Sequence, residues 1–159
     1  MNKSNQAAIT VYAPASMGNV GVGFDLLGAA LAPIDGSLLG DRVTISALDA
    51  GVEFEQVGTW AHKLPTNLTE NIVYKCAVFF LEKLQRTDGV KLILEKNLPV
   101  GSGLGSSASS VVAALYALNE YFKQPFDQQA LLLLMGEFEG QISGSIHYDN
   151  VAPCFLGGM

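Results

Sequence analysis

The chain has 159 residues, of which 49% are hydrophobic and 15% charged, and a formal net charge of −6. That composition supplies one buried core and argues against disorder. The nine basic residues are scattered, so neither a nucleic acid nor an anionic membrane is an expected partner. No apolar run reaches the roughly 18–20 residues of a membrane span. Residues 1–6 lack the charged-then-apolar pattern of a leader, so a cytoplasmic location is the expectation.

Ala8 to Ala13 reads as a first strand. Glycines at 18, 21, 23 and 28, with Phe24, Leu26, Leu27 and Leu31 between and beyond them, predict a loop and then an irregular strand. Asp41 to Leu48 alternates at period two and reads as a strand with one buried face; Gly51 to Gln56 is the natural hairpin partner. Thr69-Glu70-Asn71 opens a helix whose Ile72, Cys76, Phe79, Phe80 and Leu84 share a face. Val90 to Lys96 returns to period two. A second helix is predicted from about Ser106 to Phe122. A third, N-capped by Asp127, carries Leu131, Met135, Phe138 and Ile142 along its stripe. Ala152 to Leu156 reads as a closing strand. Strands and helices mix without strict alternation, which predicts an α+β domain. Cys76 and Cys154 lie in apolar surroundings without a CxxC partner and read as reduced core residues. The chain stops just after an apolar run, at Gly157-Gly158-Met159, and reads as a fold cut before its end.

The sharpest feature is Pro99-Val100-Gly101-Ser102-Gly103-Leu104-Gly105-Ser106-Ser107-Ala108-Ser109-Ser110, between a predicted strand and a predicted helix. Glycines at alternate positions let the backbone bend and approach a ligand closely. The unpaired N–H groups at the start of the helix, with its dipole, favour an anion there. No lysine follows the last glycine, which excludes a Walker loop, and the Rossmann spacing also fails. The bland alternative is a glycine-rich connector with serine caps. The serines that open the helix favour phosphate binding, with residues Pro99 to Ser109 as the binding segment.

Gly103-Leu104-Gly105-Ser106-Ser107-Ala108 resembles the central motif of the GHMP kinase superfamily. Residues Ala13 to Ala30 resemble the first motif of the homoserine kinase family, and Met135 to Gly140 and Ser143 to Pro153 resemble its segment after the phosphate loop. The likeness runs from about Ile9 to Met159. It implies an α+β amino-terminal ATP-binding domain over residues 1–159, a mixed sheet packed against helices with a left-handed βαβ crossover. It further implies a ferredoxin-like carboxy-terminal domain that this chain lacks, together with a late glycine-rich motif and the arginines that hold the substrate carboxylate.

The resemblance implies ATP and Mg²⁺ as cofactors and L-homoserine as substrate, phosphorylated on its hydroxyl on the route to threonine. The phosphates would lie against Gly101, Gly103, Gly105, Ser106, Ser107 and Ala108. The metal would be held by Ser107 and Glu139, with Glu137, on another side of the same helix, as competitor. Asn19, Asp25 and His147 would bind the amino acid. In mevalonate kinases an aspartate near residue 150 acts as base; here that position is Asn150. A scheme without a side-chain base is therefore expected, with Asn19 and Asn150 orienting the hydroxyl and Asp149 as the remaining candidate base. The alternatives are another GHMP small-molecule kinase and a non-catalytic nucleotide-binding relative. The isolated segment is expected to be inactive, and self-association, as a homodimer, is expected of the surface it leaves uncovered.

Overall fold

The computed structural model describes residues 6–22 and 26–159. Its main sheet has four strands: β1 (Ile9–Pro14), β4 (Gly40–Leu48), β5 (Val52–Val57) and β6 (Gly89–Glu95), in the order β1-β4-β6-β5. A two-stranded ribbon, β2 (Ser16–Gly18) with β3 (Gly28–Ala30), stands apart from it. The helices are α1 (Ile72–Lys83), α2 (Ser106–Tyr121), α3 (Gln128–Ser143) and α4 (Val151–Leu156). The α+β expectation holds.

Two readings need correction. Gly51 to Gln56 does follow β4 through a tight turn, but the two strands do not pair. β6 lies between them, antiparallel to β4 and parallel to β5. A local turn signal cannot reveal a strand that arrives more than thirty residues later. Ala152 to Leu156 is helical: Ala152 and Cys154 donate to the carbonyls of Tyr148 and Asn150. A short apolar run is compatible with either a buried strand or a helix, and Pro153 falls in the first turn, where its missing N–H costs little.

The strands alternate as period two requires. On the inner face Val43, Ile45, Val90, Leu92 and Leu94 are fully buried against α1 and α2. The outer face carries ion pairs, Arg42–Glu95 at 3.1 Å and Lys91–Glu53 at 2.7 Å. α1 begins later than the Thr69 signal suggests. A 3-10 turn occupies Leu68–Glu70, and Asn71 then caps the helix by accepting from the Val73 amide at 2.8 Å. Asp127 caps α3 as expected, accepting from the Ala130 amide at 2.8 Å. Ile142 is 49% exposed and drops out of that helix's apolar stripe. Both cysteines are free and buried, and burial pushes the Cys154 thiol up to about 12.

Candidate functional site

A cleft of about 450 Å³ opens where the β6–α2 loop, the end of α3 and the segment before α4 meet the ribbon. In the loop Gly101, Gly103 and Gly105 have φ of 74°, 77° and 62°, backbone that glycine adopts without strain. A Cβ at Gly101 or Gly103 would meet nothing within 4 Å, so that backbone lies open to the cleft. Gly105 is the N-cap of α2 and no side chain caps the helix there. The first amides of a 16-residue helix are therefore left for an anion.

Gly101, Ser102, Gly103, Gly105, Ser106, Ser107 and Ala108 line the cleft together with Asn19, Glu139, His147, Asp149 and Asn150. These are most of the residues singled out from sequence. Asp25 lies outside the described residues. Pro99, Val100 and Leu104 shape the loop without lining the cleft: the Pro99 carbonyl accepts from Ser102 Oγ at 2.8 Å, and the Leu104 carbonyl from the Ser16 amide at 3.0 Å. Ser109 is a correction. It is fully buried, its hydroxyl donates to the Ala13 carbonyl at 2.8 Å, and it accepts from the Asp41 amide at 3.0 Å, so it faces the core.

The two glutamates of α3 separate as their spacing predicts. Glu137 pairs with Lys83 on α1 at 2.7 Å, while Glu139 turns to the cleft. Among the described residues, Glu139 Oε1 is buried with no hydrogen-bond partner, and burial raises the Glu139 pKa above its ordinary value. A desolvated carboxylate oxygen without a donor calls for a proton or a cation. The exposed Ser107 hydroxyl lines the same cleft. One carboxylate and one hydroxyl beside the open backbone of the glycine loop fit Mg²⁺, which takes few protein ligands.

Glycines on three elements bring the opposite wall in. A Cβ at Gly28 would sit 1.5 Å from the Asp149 carbonyl oxygen, and one at Gly18 2.3 Å from Asp149 Oδ2. One at Gly105 would sit 2.2 Å from Ser16 Oγ. Ser16 Oγ in turn donates to Asn150 Oδ1 at 3.1 Å. Asn19 holds a φ of 59°, so it is both a turn residue and part of the cleft wall. His147 Nε2 and Ser145 Oγ are hydrogen-bonded at 2.6 Å, which keeps that ring within its own loop. On α3, Gly136 and Gly140 leave room for Tyr148 and Ile146 to lie against the helix.

Sequence reasoning missed a buried ion pair behind the loop. Lys96 Nζ and Asp41 Oδ2 are 2.5 Å apart. Burial lowers the Lys96 pKa, and the Asp41 charge offsets part of that shift. The available signal was a charged residue at the end of each of two apolar strands, Asp41 at the start of β4 and Lys96 just after β6. Among the described residues no cluster of three or more His, Cys, Asp or Glu side chains could hold a metal, and no helix is long and apolar enough to cross a membrane.

This fold recurs in small-molecule kinases. Mevalonate kinase from methicillin-resistant Staphylococcus aureus superposes with a TM-score of 0.67 at 17% identity, covering 94% of this chain and 50% of that one, a likeness of fold alone. The GHMP kinases N terminal domain model matches residues 71–158, more than half of the sequence, and the chain belongs to that family. It is 59% identical over 151 residues to homoserine kinase of Buchnera aphidicola subsp. Acyrthosiphon pisum (strain Tuc7), covering 95% of this chain and 48% of the relative. The crystal structure of homoserine kinase from Cytophaga hutchinsonii superposes with a TM-score of 0.83 at 38% identity, covering 96% of this chain and 47% of that one. The chain thus spans about half the length of the relatives it matches.

Proposed function

We propose that this domain, within a full-length protein, binds ATP and transfers its terminal phosphoryl group to the side-chain hydroxyl of L-homoserine, giving O-phospho-L-homoserine on the route to threonine. The observation that carries the reading is the meeting, in one cleft, of the open glycine backbone and uncapped start of α2 with Glu139, Asn19, Asp149 and Asn150. The homoserine kinase relatives support the choice of acceptor.

Phosphoryl transfer depends on positioning and charge neutralisation more than on covalent chemistry. The backbone of Gly101, Gly103 and Gly105 and the amides of Ser106, Ser107 and Ala108 would hold the phosphates. Ser107 and Glu139 would hold Mg²⁺, which when bound neutralises charge on the phosphate oxygens. Asn19, with Asp25 and His147, would bind the amino acid, its carboxylate complemented by residues beyond this segment. Asn150 would orient the hydroxyl, with its amide turned by the Ser16 bond to Oδ1. An amide cannot take the proton, so the proton would pass to phosphate or solvent.

The test is turnover of ATP by the full-length protein with homoserine, mevalonate and sugars as acceptors. Homoserine should be preferred, and Glu139→Gln should lower kcat/KM roughly a hundredfold with magnesium. Preference for mevalonate, or ATP binding without turnover, would overturn the assignment. Asp149→Asn should keep most of kcat; its collapse with KM unchanged would make Asp149 the base.

A further inference from the structure

Both ends of the phosphate loop are tied to one buried ion pair. Asp41 lies in β4 and Lys96 follows β6; they are 0% and 2% exposed. Lys96 Nζ contacts Asp41 Oδ2 at 2.5 Å, the Ser106 carbonyl at 2.9 Å and Ser110 Oγ at 3.0 Å. That is the full donor complement of an ammonium. Asp41 Oδ1 accepts from the Asn97 and Leu98 amides at 2.8 and 2.9 Å, and Oδ2 accepts also from Ser110 Oγ at 2.7 Å. Asp41 and Lys96 thus grip residues 96–98, where the chain leaves β6, and Ser106 and Ser110, where α2 begins. Between the two grips a Cβ at Gly101 or Gly103 would meet nothing within 4 Å.

Stability alone does not account for such a pair. Removing two charges from water costs several kcal/mol each, and apolar replacements of similar volume are often neutral or stabilising. Nor does Lys96 serve the ligand directly, since its three donors are committed inside the protein. What the pair does achieve is a fixed separation between the loop's entry and the first turn of α2. An anion then meets amides already in place, and less ordering entropy is lost on binding.

We propose that Asp41 and Lys96 are positioning residues for nucleotide binding, acting through the loop without touching the phosphates. The inference rests on the phosphate-binding reading of the cleft. In the full-length protein, Asp41→Leu with Lys96→Met should recover part of the Tm lost in either single variant, since no unpaired charge is then buried while the Asn97 and Leu98 amides stay without their acceptor. The same double variant should raise KM for ATP about tenfold while leaving KM for homoserine within about twofold. A double variant with partly restored Tm and an ATP KM within twofold of the parent would overturn the inference, as would a parallel rise in both KM values. Should the double variant not fold, Ser110→Ala removes one hydroxyl from the network and should raise the ATP KM about threefold without moving the homoserine KM. An unchanged ATP KM there also overturns it. A parent that turns over no ATP removes the reading beneath the inference; an active parent whose variants keep their ATP KM sinks the inference alone.

Discussion

Glu139 is the residue whose environment is most at odds with its charge. Among the described residues nothing donates to its buried oxygen, and burial raises its pKa above the ordinary 4.5. The folded state therefore keeps this proton at pH values where the unfolded chain has lost it. The sign follows from linkage: native protein binds more protons in that window, so stability falls as pH rises from 4.5 through the raised value. Glu139→Gln should remove this component and leave the metal-free fold at least as stable as the parent at neutral pH. Denaturant titrations of both proteins across the acid range would show it, and identical slopes would contradict it. Glu139 was readable from sequence only through the family motif; its charge and spacing alone fit a solvated helix acid better. The pairing of Asp41 with Lys96 was not readable, because 55 residues separate its members; a charge at the start of β4 and another just after β6 each make sense without the other.

At the scale of the element, α3 shows how packing overrides propensity. Alanine in place of a mid-helix glycine ordinarily gains up to about 1 kcal/mol. A Cβ at Gly136, however, would lie 2.4 Å from two ring carbons and the hydroxyl of Tyr148, and overpacking typically costs about 1–3 kcal/mol. The clash should win. Gly136→Ala is expected to lower Tm and displace the segment that carries Asp149 and Asn150, and Tyr148→Ala added to it should recover stability. If Gly136→Ala raises Tm, the ring has room the structure does not show. The cap of α3 and the glycines of the loop could be read from residue type because their causes are local. α4 could not, since five apolar residues in a row carry no period.

For the whole molecule, the inner face of the central sheet is where stability concentrates. Leu92 is fully exposed to the core and not at all to solvent, whereas Ile93, on the same strand, faces outward and is half-buried. Leu92→Ala should cost about 2–5 kcal/mol, and Ile93→Ala roughly 1 kcal/mol, measured by chemical denaturation. Equal losses would show that both faces are covered. The composition and periodicity made the α+β class and this inner face plain; the strand order was hidden because it depends on contacts distant in sequence. That order has a consequence for synthesis. β6 is an inner strand of the sheet yet the last of the described strands to be made, so β4 and β5 wait as neighbours in sequence with no ladder between them. Until residue 95 has emerged, the nascent chain offers two open strand edges to whatever passes, and closure by β6 ends that exposure in a single step on both sides.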